Sequence, residues 1–263
     1  MKIPAKQLLF PAATGALMVA AWYAWHARLP EDSRFLLPTP DLVIAALREH
    51  REVLAVATLN TVKGALIGFG LAVVISTATA LTLSLAKWIR ASLYPYLMIL
   101  QMTPIIVIAP MLVLWVGPGL KSVAVITFLI SFFPMVVNTT QGLLATDRNL
   151  LELFRMQRAT PWQEILHLRV PAAMPGFFTG LRIAAVLAPI GAIVGDYTAG
   201  SSAGDGGGLG FRVIIYASQA KYPALFATAG IGCALGFVFT AAVVSFSWLA
   251  LHRWHDSYER RDH

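Results

Sequence analysis

Four stretches of this chain carry residue types at spacings that could do chemistry. VGPGLKS (116–122) ends in Lys121-Ser122 like a phosphate-binding loop. Such a loop needs G-x-x-x-x-G-K-[ST], so that backbone amides surround the phosphates and the lysine reaches them. No glycine directly precedes Lys121 and none stands at the required upstream position, so the stretch reads as a turn. GDGGGLG (204–210) is glycine-rich but follows no strand that would anchor a nucleotide loop. His252 and His255 form an HxxH pair, and a metal centre would need further placed ligands and a shielded shell. A solvated basic tail is the better reading. No Ser/His/Asp or Cys/His constellation stands out, so the chain is expected not to be an enzyme and to bind no metal.

The fourth stretch, RMQRATPWQEILHLRVP (155–171), is the longest polar interruption in an oily sequence. Upstream of it, Leu150, Leu153 and Phe154 fall on one helical face, and beyond Pro161 so do Trp162, Ile165 and Leu166. Two short amphipathic helices are expected. Between them, Thr160, Pro161 and Gln163 have the form of a capping box, the threonine accepting from the Gln163 amide with proline in the first turn.

The elements around this loop follow from composition. The chain is 57% hydrophobic and 13% charged, against about 25% charged in ordinary soluble domains. Its apolar runs approach the ~20 residues that cross a hydrocarbon core as a helix. Six are expected: about Leu8 to Ala27, Thr58 to Ser84, Ser92 to Val116, Val123 to Ala145, Phe177 to Ala199 and Ala224 to Leu251. Strand-like alternation is missing, and helices satisfy the backbone in lipid. The first run resembles a signal peptide, but Trp22, Tyr23 and Trp25 read as an interfacial belt closing a retained span. Between the first two runs, Pro40 and Asp41 should cap a short surface helix with Leu42, Ala45, Ala46 and Leu47 apolar and Arg48, Glu49, Arg51 and Glu52 wet. The single cysteine, Cys233, reads as a packing residue.

Lysine and arginine are richer on one set of connections (Lys87, Arg90, Arg148, Arg155, Arg158, Arg169 and both termini) than on the other. The net charge of +7 therefore speaks for topology, with both termini inside, rather than for nucleic acid. Glycines four apart (64/68, 176/180, 191/195, 232/236) let helices approach closely in lipid. Prolines 95, 104, 110, 134 and 189 should kink the spans around a central pathway. Polar residues stranded at membrane depth mark that pathway: Gln101, Thr103, Asn138, Gln141, Asp196 and Tyr197. For Asp196, a structural pairing with a neighbouring helix is an equal alternative. The domain plan is a single transmembrane domain, 1–263: a first span and extracytoplasmic helix to residue 57, a core over 58–251 with a loop at about 146–172, and a tail over 252–263.

The loop resembles the EAA loop of permease subunits of ABC importers, whose pattern is E-A-A, three residues, G, nine residues, I-x-L-P. Glu152 takes the glutamate position, Leu153 and Phe154 replace the alanines, Arg158 replaces the glycine, and Leu168-Arg169-Val170-Pro171 stands for I-x-L-P. LPTP, LQMTPIIVIAPMLVLWVGPGLKS, FFPMVVNTTQGL, PAAMPGFFTGLRIAA and GLGF extend the resemblance from about Leu36 to Ala241, toward the nitrate/sulfonate/taurine branch. It implies an all-α, type I importer (MetI-like) permease fold in the inner membrane, paired with a second copy as a homodimer. Two cytoplasmic ABC ATPases, using ATP and Mg that this chain does not itself bind, and an extracytoplasmic solute-binding protein complete the system; nucleic acid is not among the partners. By analogy Glu152, Phe154, Arg155, Arg158, Ala159, Thr160, Trp162 and Pro171 belong to the ATPase-coupling surface. With arginine in place of glycine at 158, either the turn tolerates a positive φ or Thr160-Pro161 resets it. The solute expected is small and polar: a sulfonate, taurine, nitrate or a thiamine-precursor pyrimidine. The competing reading is an ion-coupled secondary transporter or channel working alone.

Overall fold

The computed structural model describes residues 5–200 and 207–252, with side chains from 10 to 250. His255, the C-terminal tail from 253, and residues 201–206, which include the 204–206 part of GDGGGLG, lie outside the described residues, as do the side chains of Lys6 and His252. Every regular element among the described residues is helical. Helix α1 (Ala5–Arg28) runs through a 3₁₀ turn (Glu31–Leu36) into α2 (Pro40–Glu49). The expected aromatic belt does specific work at this junction: Trp22 Nε1 donates to the Pro38 carbonyl at 3.0 Å, and the His26 ring nitrogen lies 2.6 Å from the Leu37 carbonyl. The N-cap of α2 is Thr39, with Pro40 and Asp41 inside the first turn. Asp41 is therefore not the cap, because proline takes the first helical position, where its missing N–H costs nothing.

Only His50 separates α2 from α3 (Arg51–Leu85), a 35-residue helix that starts well before the expected Thr58. Arg51 and Glu52 thus belong to α3 and not to the surface helix. The run expected as one span over 92–116 is two helices, α4 (Lys87–Met102) and α5 (Ile105–Val116), bent by 99°. Pro104 supplies no N–H and drives Thr103 out of the helical region, to ψ 124°. Glycines 117 and 119, at φ +93° and +94°, then make the turn read from VGPGLKS before α6 (Leu120–Leu144).

After α6 come α7 (Arg148–Met156), α8 (Pro161–Glu164), a π-turn (Ile165–Arg169) and α9 (Val170–Ala199). Helices α10 (Leu209–Ser218) and α11 (Tyr222–His252) close the chain. The fifth apolar run is thus continuous with the loop's second helix rather than starting at Phe177. Four helices among the described residues are long and apolar enough to cross a membrane, and the bent α4–α5 pair makes five. Helix α1, the sixth expected, spans about 36 Å at 1.5 Å per residue, but it ends in the aromatic belt and is less apolar than α3, α6, α9 and α11.

The core is a three-helix stack in which α6 packs on both α9 and α3. In lipid no hydrophobic force gathers helices, so close backbone approach supplies the attraction. A Cβ on Gly68 would lie 2.6 Å from the Ala124 carbonyl oxygen, one on Gly191 2.9 Å from Thr127 Cα, and one on Gly195 2.8 Å from Val123 Cα. At the other end of the α6–α9 contact, a Cβ on Gly176 would meet the Asn138 carbonyl oxygen at 2.8 Å. The fourth expected pair departs from this. Gly236 has open space around it, and with Gly232 and the exposed Cys233 it lines an apolar groove between α9, α10 and α11. Cys233 is therefore not a packing residue.

Candidate functional site

Helix α7 ends in a Schellman turn: the Arg158 N–H donates to the Arg155 carbonyl and the Ala159 N–H to the Phe154 carbonyl, both at 3.0 Å. Arg158 occupies the left-handed position at φ +55°. The glycine's conformation is kept without the glycine, at a cost of about 1 kcal/mol. Thr160-Pro161 does not reset the turn but starts the next helix. There the capping box is complete, with the Thr160 N–H donating to Gln163 Oε1 at 2.8 Å and the Gln163 N–H to Thr160 Oγ1 at 3.4 Å. Asp147 caps α7 through the Asn149 amide.

The π-turn has an identifiable cause. Pro171 cannot donate to the carbonyl four residues back and its ring crowds that position, so the backbone passes through wider bonds such as Val170 N–H to the Ile165 carbonyl. This register sets Glu164 beside Arg169, whose Nε donates at 2.9 Å and whose second guanidinium nitrogen also pairs with it. A further Arg169 nitrogen donates to the Ser84 carbonyl at 3.0 Å, in the last turn of α3. Arg155 reaches the other Glu164 oxygen at 3.4 Å. One carboxylate therefore binds α7 to α9, and Arg169 binds both to α3. Partial burial pushes the Glu164 carboxyl up, but Arg169 and then Arg155 outweigh it and hold it below the ordinary glutamate value.

Of the residues expected on the coupling surface, Glu152, Arg155, Arg158, Thr160 and Trp162 are exposed, and Phe154, Ala159 and Pro171 are half-buried. Met156 is 81% and Trp162 70% exposed on this polar knob. Glu164 and Arg169 were not among the expected site residues. Their five-residue separation faces one way only in a π-turn, which an α-helical reading of the sequence does not supply.

The other end of α9 is tied differently. Asp196 is buried; its Oδ2 accepts from Thr61 Oγ1 at 2.5 Å, and the amides of Gly210 and Leu209 point at the same carboxylate. The Leu209 N–H also donates to Thr61 Oγ1 at 2.9 Å, and Asn60 Nδ2 donates to the Gly207 carbonyl at 3.1 Å. A carboxylate at the N-terminus of α10 satisfies orphan amides and complements the helix dipole. A Cβ on Gly208 would overlap that carboxylate, which explains the glycine.

The six polar residues read as a pathway are not gathered together. Gln101 lies in the last turn of α4 and Thr103 in the α4–α5 break, where Thr103 Oγ1 donates to the Ile99 carbonyl. Asn138 donates to Pro134 within its own helix at 2.8 Å, about 22 Å along α6 from Val123, the level at which Gly195 and Asp196 pack. Gln141 and Tyr197 are exposed. Instead, Asp196 shares a cavity of about 70 Å³ with Asn60 and Lys63. Lys63 is the residue the sequence reading passed over, although a lysine inside an apolar run is itself a signal.

A multi-pass helical membrane protein with a glycine-packed core and a capped extramembrane two-helix knob is a transport subunit in form. The chain belongs to the family of binding-protein-dependent transport system inner membrane components, whose profile matches residues 66–261. It is 34% identical over 247 residues to a probable ABC transporter permease protein of Haemophilus influenzae, covering 94% of this chain and 97% of that one. It is 35% identical over 210 residues to the formylaminopyrimidine transport permease protein ThiX of Halalkalibacterium halodurans, covering 80% and 82%. In fold it resembles a crystal structure of an amino acid ABC transporter with histidines, with a TM-score of 0.53 at 17% identity over 80% of this chain and 97% of the other.

Proposed function

We propose that the chain is the pathway-forming permease of an ATP-driven importer, working as a homodimer with two separate ABC ATPases and an extracytoplasmic solute-binding protein. The observation that carries this is the knob at Asp147–Arg169. It is stiffened by a helix cap, a Schellman turn and a capping box, is tied to α3 and α9 by Arg169, and yet presents Met156 and Trp162 to solvent. Exposed apolar residues on a braced polar loop suit a protein partner that pushes. In this reading the knob faces the cytoplasm with both termini, and Glu152, Phe154, Arg155, Arg158, Ala159, Thr160, Trp162 and Pro171 form or support the contact. ATP and Mg are used by the partner, and this chain binds neither.

The solute is small and polar. Among the candidates, a pyrimidine is favoured by the relative named for formylaminopyrimidine transport; sulfonate, taurine and nitrate are the alternatives. Of the pathway residues, Gln101, Thr103, Asn138, Gln141 and Tyr197 remain candidates for solute contact, and Asp196 acts chiefly as the anchor of α10. The test is reconstitution. The purified chain alone hydrolyses no ATP, and uptake requires the ATPase, ATP and the binding protein together. Uptake by the isolated chain under an ion gradient without ATP contradicts the proposal and restores the secondary transporter.

A further inference from the structure

The knob has a second side, away from Met156 and Trp162. Between it and the ends of α3, α4 and α6 lies a cavity of about 470 Å³. Five cations line it, Lys87, Arg90, Arg148, Arg155 and Arg169, against one carboxylate, Glu152. Glu164, behind Arg155 and Arg169, takes up one further charge, so the cations remain in excess. Two of the helices that border it begin there: Lys87 and Arg90 stand in the first turn of α4 and Arg148 in that of α7, with no acidic residue in either first turn. Cations at helix N-termini oppose the dipole, and both effects leave the cavity strongly positive. Asp147, which caps α7, takes up one more charge, and the five cations still exceed the three carboxylates.

Depth identifies what fits. The cavity opens where the apolar run of α3 ends at Leu85 and that of α6 at Leu144, both exposed. Trp88, 71% exposed, stands beside it where interfacial aromatics sit. A ligand here meets cations and guanidinium forks on one side and hydrocarbon on the other. We propose that this cavity is a binding site for the phosphate headgroup of an anionic phospholipid, with the acyl chains lying along Leu85 and Leu144. Arg90 and Arg148 are the phosphate donors, guanidinium being the group that binds phosphate in two-point fashion. Because Arg155 and Arg169 border both the cavity and Glu164, a bound headgroup braces the knob from behind. The site rests on the proposed function only for the side of the membrane it faces.

The test uses the full-length chain alone, without ATPase, so its failure is separable from failure of the transport reading. The chain is placed in nanodiscs of phosphatidylcholine with and without phosphatidylglycerol and read by thermal melting and by native mass spectrometry for retained lipid. Phosphatidylglycerol should raise the melting temperature and stay bound. The double variant Lys87→Gln/Arg90→Gln should lose that retention about tenfold or more, whereas Lys121→Gln/Lys221→Gln, which removes equal charge at the opposite end, should not. Equal retention by both double variants overturns the site. Inorganic phosphate in phosphatidylcholine discs reproducing the whole stabilisation overturns the lipid as ligand.

Discussion

Helix α9 is tied to α3 at both ends, and the two ties have opposite character. At the knob end Arg169 reaches the Ser84 carbonyl and shares Glu164 with Arg155; Arg155 is 64% exposed, so water can take its place. At the other end Asp196, Thr61 and the α10 amides form a buried network in which every partner is supplied by the chain itself. The glycine-packed α3–α6–α9 stack lies between. A helix group that must move as one body under force applied at one end needs a closed anchor far from the force and a remakeable joint near it. Buried polar networks lose most when one partner is removed, whereas a pair with one exposed partner, such as Arg155–Glu164, contributes little to stability; Arg169–Glu164, shielded on both sides, is the stiffer part of the joint.

That contrast orders the expected effects of substitution. Asp196→Ala leaves the Gly210 amide without its acceptor, while the Thr61 hydroxyl keeps the Ala57 carbonyl and the Leu209 N–H keeps Thr61 Oγ1; it should cost about 2–3 kcal/mol, read by thermal and denaturant melting in detergent. A variant that melts like wild type but takes up no solute would instead make Asp196 a solute contact. Gly68→Leu, which drives a side chain into Ala124 and Thr127, should cost about 1–3 kcal/mol, while Gly236→Leu, facing open space, should melt nearly unchanged. Equal losses at both would remove the argument for the packed stack.

Sequence patterning made some of this legible. Three of the four spaced glycine pairs mark close approaches, because in lipid a missing side chain is itself the packing signal. The capping box could be read from Thr160 and Gln163 because it is local. The α4–α5 bend was half visible: Pro104 announced a break, but 99° follows from what the neighbouring helices allow. The Asp196–Thr61 contact joins residues 135 apart and no local pattern encodes it. The Glu164–Arg169 pair was hidden by the assumption of an α-helical period, which Pro171 overturns.

The knob end should respond in function before stability. Glu164→Gln keeps a partial hydrogen bond but loses the charge that holds both arginines, of which Arg169 is largely shielded, so melting should shift by about 1–2 kcal/mol while uptake per ATP falls several-fold. Its pH behaviour has a defined sign. With the Glu164 carboxyl held below its ordinary value, the joint is fully formed at neutral and mildly acidic pH and is lost only as pH falls through that lowered value. The smallest effect belongs to the left-handed turns at Arg158 and Ala220, the two non-glycine positions with positive φ among the described residues. Arg158→Gly and Ala220→Gly should each stabilise their turn by up to about 1 kcal/mol, seen as slower amide exchange at residues 158–159 and 220–221. A fall in uptake only for Arg158→Gly assigns the guanidinium to the ATPase contact.

The most direct measurement is ATP-driven uptake in proteoliposomes carrying the ATPase and binding protein, with wild-type chain or with Glu152→Ala/Arg155→Ala. Uptake should be lost while the variant still inserts and keeps its melting temperature. Coupled uptake at the wild-type rate in that variant would contradict the assignment of the α7–α8 knob as the place where the ATPase acts.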